Sequence, residues 1–169
     1  DGGRSFIEMF LAQAAYADYH YSLSENKISC IIYTSHMTDK DVKAEIERIG
    51  YSQVNDRSSR YARYSHSKDP RYSDVTVVRL HKTNLLDLHN GDFFAGIDSE
   101  VDWMQAHWPH AHDSTLIDMI TSGLAYEAAK DGKIYVDISN VDNRAAGTDP
   151  VLLAMMELTG TAMINETVL

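Results

Sequence analysis

Two short runs of β-branched residues, Ile28-Ser29-Cys30-Ile31-Ile32-Tyr33 and Val75-Thr76-Val77-Val78-Arg79-Leu80, constrain this chain more than anything else in it. Each is too short and too rich in branched side chains to make a stable helix, and each has the length of a buried strand. Between and around them the apolar residues recur at helical intervals instead. Ser5 and Glu8 have capping-box spacing, and Phe6, Phe10, Ala14 with Ile7, Leu11, Ala15 predict a helix over residues 6 to about 20. Thr38 is placed to cap a second helix with Val42, Ile46 and Ile49 inward, and Gly50 supplies its left-handed end.

Residues 51–73 keep no apolar period and predict a long loop, a feature that in a small domain is usually functional. Ser99 predicts a short helix to about His107. Asp113 or Ser114 predicts a longer one with Leu116, Ile117, Ile120, Leu124 and Ala128 inward, ending near Gly132. Ile134, Val136 and Ile138 alternate as a half-buried strand, Pro150 opens a helix through "VLLAMMEL", and "TAMINETVL" reads as a final strand. Strands and single helices do not alternate regularly. The expected class is therefore α+β, a single domain over 6–169 with a mixed or antiparallel sheet and several flanking helices. Residues 1–5 are expected to be a linker or processing scar.

Composition narrows the chemistry. Cys30 is the one cysteine among 169 residues, so neither an intramolecular disulfide nor a thiolate zinc cluster can form. No apolar run approaches the roughly 18 residues of a membrane span, which predicts a soluble protein of the cytoplasm or a secreted effector. The net charge of −10 argues against long nucleic acid as a partner. Within "RSSRYARYSHSKDPRY", residues 57–72, five cations face only Asp69, a local charge of +4 that leaves −14 for the remainder.

Three groups of residues are candidates for chemistry. Arg57, Arg60, Tyr61, Arg63 and Tyr64 combine phosphate contacts with stacking faces, which suits a dinucleotide or an acidic protein partner. The same arginines equally suit pairing with this chain's own carboxylates. "HWPHAHD" brings His107, His110, His112 and Asp113 within seven residues, spacing that could hold a metal ion for a hydrolase, although exposed histidines at a turn account for it as well. Cys30 is a possible nucleophile with His36 as base, or simply a small buried hydrophobe. No P-loop, GxGxxG or GxSxG sequence occurs.

Four segments, "IIYTSHMTDKDVKAEIERIGY", "DVTVVRLHKTNLLDL", "AYEAAKDGKIYVDIS" and "NETVL", read together, resemble the small ADP-ribosyltransferase-like enzymes, including NAD-cleaving toxins of the RES kind. The resemblance implies a toxin or effector with NAD as substrate. It implies Glu166 as the carboxylate that stabilises an oxocarbenium-like ribose, Tyr33 with Tyr61 or Tyr64 against nicotinamide, and Arg57, Arg60 or Arg63, with Arg79 a further candidate, at the pyrophosphate. Thr34-Ser35-His36 stands where the family has His-Gly-Thr, and Ile164 stands two residues before Glu166 where a glutamate or glutamine is usual. The implied activity is accordingly NAD hydrolysis or transfer to an acceptor other than arginine. The competing expectations are a non-catalytic acidic immunity or adaptor protein, binding its partner through the Tyr/Arg stretch, and the histidine-based metal hydrolase.

Overall fold

The two β-branched runs lie side by side. In the computed structural model Cys30–Thr34 (β1) pairs in parallel with Val75–Arg79 (β4), in the register Cys30 to Val75 through Thr34 to Arg79. The structure describes residues 3–21, 27–55, 61–80, 82–84, 107–109, 114–143, 147 and 149–163. β4 is joined on its other side, antiparallel, by Tyr61–His66 (β3), and β3 by the short Tyr51–Gln53 (β2). The order β1-β4-β3-β2 makes a mixed four-stranded sheet. Lys82–Asn84 (β5) and His107–Pro109 (β6) form a separate antiparallel pair.

Alternation along the strands sends side chains to two helical layers. On one face Cys30, Ile32, Ala62, Tyr64, Val75 and Val77 pack with Leu11 of Phe6–His20 (α1) and Ile46 of Asp39–Arg48 (α2). On the other face Ile31, Tyr33, Tyr61 and Val78 meet Met119 of Thr115–Thr121 (α3) and Leu124 of Leu124–Lys130 (α4). A fifth helix, Pro150–Thr159 (α5), is capped by Asp149, whose carboxylate accepts from Val151 N at 2.8 Å, and it buries none of its residues. The α+β class follows, with the sheet mixed.

Several local signals act as the sequence implies. Ser5 Oγ accepts from Glu8 N at 3.1 Å at the start of α1, and Gly50 takes φ +106° after α2. Thr38 occupies the capping position of α2, but its hydroxyl accepts from Ser35 N at 3.0 Å and makes no cap bond to the helix.

Three readings are corrected. Residues 51–73 are not one long loop, because β2 and β3 lie within them. Their inward positions are Tyr51, Ala62 and Tyr64, which alternate with polar residues and so escape a search for aliphatic periodicity. The helix expected from residue 114 to about 132 is broken at Gly123, φ +85°; Met119 and Leu124 turn inward, whereas Leu116, Ile117 and Ile120 face solvent. Residues 134–138 form no strand among the described residues, and Ile134, Val136 and Ile138 are exposed. The expected helix from Ser99 and the final strand fall outside the described residues, apart from His107, which is in β6, and the residues up to 163.

Polar anchors fix the layers. The buried carboxylate of Asp18, in the last turns of α1, accepts from Ile28 N at 2.7 Å and from Ser73 Oγ at 2.6 Å. It thereby ties the helix to the approaches of both β1 and β4. Arg48 at the end of α2 bonds Glu45 and reaches Glu8 of α1 at 3.1 Å. Hydrogen bonds from Arg48, then from Ser5, hold the Glu45 carboxyl down to about 2.

Two outcomes follow for stability. Asp18→Ala leaves two donors without their acceptor and should cost about 2–4 kcal/mol, with Asp18→Asn costing less, measured by urea unfolding at pH 7. An unchanged midpoint in Asp18→Ala would refute the anchoring role. Because the Glu45 pKa is depressed, its stabilisation is complete above its usual value of 4.5 and is lost as the pH falls towards about 2. The midpoint difference between the wild type and Arg48→Met should therefore shrink from pH 7 to pH 2.5.

Candidate functional site

The register of the sheet brings three of the sequence candidates to one face. Tyr33 of β1 lies opposite Val78 of β4, and Val78 lies opposite Tyr61 of β3; two residue pairs further along, Arg63 lies opposite Thr76. Tyr33 and Tyr61 both pack against the cluster of Val78, Met119 and Leu124. The face is thus a tyrosine pair with valine between, roofed by α3 and α4.

Its polar groups are unequally satisfied. The Tyr61 hydroxyl donates to Glu127 of α4 at 2.9 and 3.0 Å, and Arg63 bonds the same carboxylate while its guanidinium sits 5.3 Å from the centre of the Tyr61 ring. Burial, and then its bond to Glu127, raise the Tyr61 pKa. The Tyr33 hydroxyl is buried and has no hydrogen-bond partner among the described residues. Burial raises its pKa, and the charge of Asp118 adds to the effect.

Not all the candidates join this face. Tyr64 points the other way and is among the most buried side chains of the α1/α2 core, 1% exposed. Arg57, Arg60 and the proposed carboxylate Glu166 lie outside the described residues, as do His110 and His112, while His107 is described only as part of strand β6. Among the described residues no group of three or more His, Cys, Asp or Glu side chains is placed to hold a metal ion. Two cations of the basic stretch are paired within the chain, Arg63 with Glu127 and Arg71 with Asp69, both pairs exposed enough for solvent to screen most of their attraction.

Cys30 is buried on the α1/α2 face, where desolvation and the neighbouring Asp18 push its thiol up to about 12. A thiol held that high is not a nucleophile near neutral pH, so the reading of Cys30 as a small hydrophobe holds. His66 ends β3 as part of the fold. Its Nδ1 accepts from Asp69 N at 2.9 Å, so its proton sits on Nε2, 3.1 Å from the Ile49 carbonyl. The ring stacks on Tyr72 and meets Tyr51 edge-on. A pocket beside it, lined by Glu8, Leu11, Ile49 and Tyr72, has a volume of about 60 Å³, room for water but not for a nucleotide.

The residue whose position sequence patterning leaves open is Arg79. It closes β4 at the carboxyl end, opposite Thr34 in register, is exposed, and makes no ion pair among the described residues. Beside it Leu80 N donates to Thr34 O at 2.8 Å, and the β1–α2 turn is held by Ser35 and Thr38, with Ser35 Oγ accepting from Met37 N and Thr38 N. Parallel strands present ligands with the space beyond their carboxyl ends, and β1 and β4 end together here. Only the parallel pairing, which the sequence does not specify, makes these ends coincide.

No helix among the described residues is long and apolar enough to cross a membrane. No family model matches the chain. Over 163 residues it is 26% identical to the UTP--glucose-1-phosphate uridylyltransferase 2 of Dictyostelium discoideum, an alignment that takes in 96% of this chain and 28% of that protein. The chain thus spans little more than a quarter of the relative it matches.

Two measurements test the site. Cys30 should resist a thiol reagent in the native protein at pH 8 and react fully in denaturant; rapid native labelling would refute its burial. Tyr33→Phe removes a buried hydroxyl that has no partner among the described residues, so the ligand-free variant should be as stable as the wild type or more stable by up to about 1 kcal/mol in urea. A clear loss of stability would mean that the hydroxyl has a partner in the free protein.

Proposed function

We propose that this chain is a nucleotide-handling module of the uridylyl-transfer type, binding the phosphates of UTP or of a UDP-sugar beyond the carboxyl ends of β1 and β4. The observation that carries the reading is the breadth of the alignment: similarity to a uridylyltransferase extends over 96% of the chain and is not confined to one motif. The position of Arg79 supports it. Transfer of a uridylyl group to a sugar phosphate forms one phosphorus–oxygen bond and breaks the bond to a pyrophosphate leaving group, so the main demand on the protein is placement and neutralisation of negative charge. An exposed arginine at the common end of two parallel strands meets that demand with a fixed, forked donor. The hydroxyls of Ser35 and Thr38 line the neighbouring turn.

A second reading, NAD cleavage, draws on the shared face of Tyr33 and Tyr61. In that reading the two rings hold nicotinamide, Glu166 supplies the carboxylate, and Arg63 exchanges Glu127 for pyrophosphate. Both readings are chemistry on a nucleotide that carries a phosphoanhydride. They differ in the base and in the surface that is used, the common carboxyl end of β1 and β4 or the adjoining face of the sheet beneath α3 and α4.

Calorimetric titration of the intact chain with UTP, UDP-glucose and NAD, each with magnesium, separates them. Uridylyl handling predicts saturable binding of UTP or UDP-glucose, weakened about tenfold in Arg79→Ala with unfolding unchanged, the loss of one charge-assisted contact. Binding of NAD alone, undiminished in Arg79→Ala, assigns the second reading, and binding of none of the three overturns both.

A further inference from the structure

β1 has the composition of a central strand but the position of an edge. Its five residues, Cys30-Ile31-Ile32-Tyr33-Thr34, contain no charge, proline or glycine, and both of its faces are covered. Such near-continuous apolar strands belong inside parallel sheets, whereas natural edges are short, charged or bulged. The opposite edge, β2, is of that protected kind, three residues long with Ser52 exposed. Yet in the order β1-β4-β3-β2 the far side of β1 pairs with no strand among the described residues.

Elsewhere the chain holds a segment with the alternation of a strand and no sheet to join. Residues 134–138 alternate Ile134, Val136 and Ile138 with Tyr135 and Asp137, they have no backbone bond to any strand among the described residues, and the three aliphatic side chains are 78%, 55% and 45% exposed. The segment begins next to the open edge. Lys133 Nζ donates to the carbonyl of Lys27, three residues before β1 begins, so an extended chain leaving Lys133 can run alongside β1 in the same direction. The connection has the right form as well. After β4 the chain passes β5 and β6 and then runs through α3 and α4, which pack on one face of the sheet, and a helical crossover is what joins parallel strands.

We infer that residues 134–138 dock as a fifth strand of the main sheet, parallel to β1 on its open edge, giving the order 134–138, β1, β4, β3, β2. Docking supplies partners to the backbone groups on the side of β1 that no described strand pairs, takes alternate aliphatic side chains out of water, and carries the polar turn Ser139–Asn143 to the carboxyl end of β1, next to Ser35. The undocked segment is held meanwhile by a bond from the Tyr135 hydroxyl to Glu157 of α5.

Amide hydrogen exchange on the intact chain, read residue by residue, tests this without reference to any nucleotide. Docking predicts that amides within 134–138 exchange at least about 100-fold more slowly than an unstructured peptide, together with the outward amides of β1. Val136→Pro removes a ladder donor and should release both sets while leaving the β3–β4 amides protected. Should that variant unfold, the wild-type exchange decides alone. Exchange of 134–138 within about tenfold of the unstructured rate overturns the inference. So does protection of β1 that disappears on dilution and accompanies a dimer in sedimentation, since the edge is then covered by a second copy.

Discussion

The parallel pairing of β1 and β4 is the constraint from which the rest of the architecture follows. Two parallel strands cannot be joined by a tight turn, so the chain between them must leave the sheet and return; here it makes α2 and the β2–β3 hairpin on the way. Strands paired in this way are buried on both faces, which demands two helical layers and explains why Ile31 and Ile32 both find apolar partners. The pairing also aligns the two carboxyl ends. Thr34, Ser35 and Arg79 become neighbours by register, although forty-four residues lie between Ser35 and Leu80, whose backbone secures the end.

Helices were the most legible part of the sequence, because their signals are local. The Ser5–Glu8 cap, the Val42, Ile46 and Ile49 stripe, the left-handed Gly50 and the Pro150 start all act within one or two turns. The β2–β3 hairpin was hidden because its buried residues are tyrosines and an alanine. Tyrosine at an inward position carries a polar tip, so the pattern reads as a loop until a partner strand shows which side is buried. The break at Gly123 was hidden for another reason. A glycine within a periodic segment is compatible with a continuous helix, and only the left-handed backbone at that residue, after which Leu124 starts a new helix with its side chain buried, reveals two.

The candidate site was legible in residue type and not in grouping. Tyr33, Tyr61 and Arg63 reach one face because β1 and β3 flank β4 in matching register, a fact of pairing that no local pattern contains. Tyr64, one position from Arg63, goes to the opposite core by the same two-residue alternation. Nearness in sequence thus separated these candidates, and distance in sequence united others.

Folding changes where positive charge is open to a ligand. A local excess of +4 within residues 57–72 suggests an anion site when the chain is treated as a string, but Arg63 lies against Glu127 and Arg71 against Asp69 once it is folded. An anion approaching that stretch must displace a carboxylate for each of those two arginines, and exchanging one exposed pair for another yields little. Arg79 has no such competitor among the described residues. Its site is weaker in total charge and stronger in what it can offer a phosphate, since no described carboxylate already holds its donors. In a chain of net charge −10, recognition of a polyphosphate then depends on a few positions where the cation is left open, more than on where cations are most numerous.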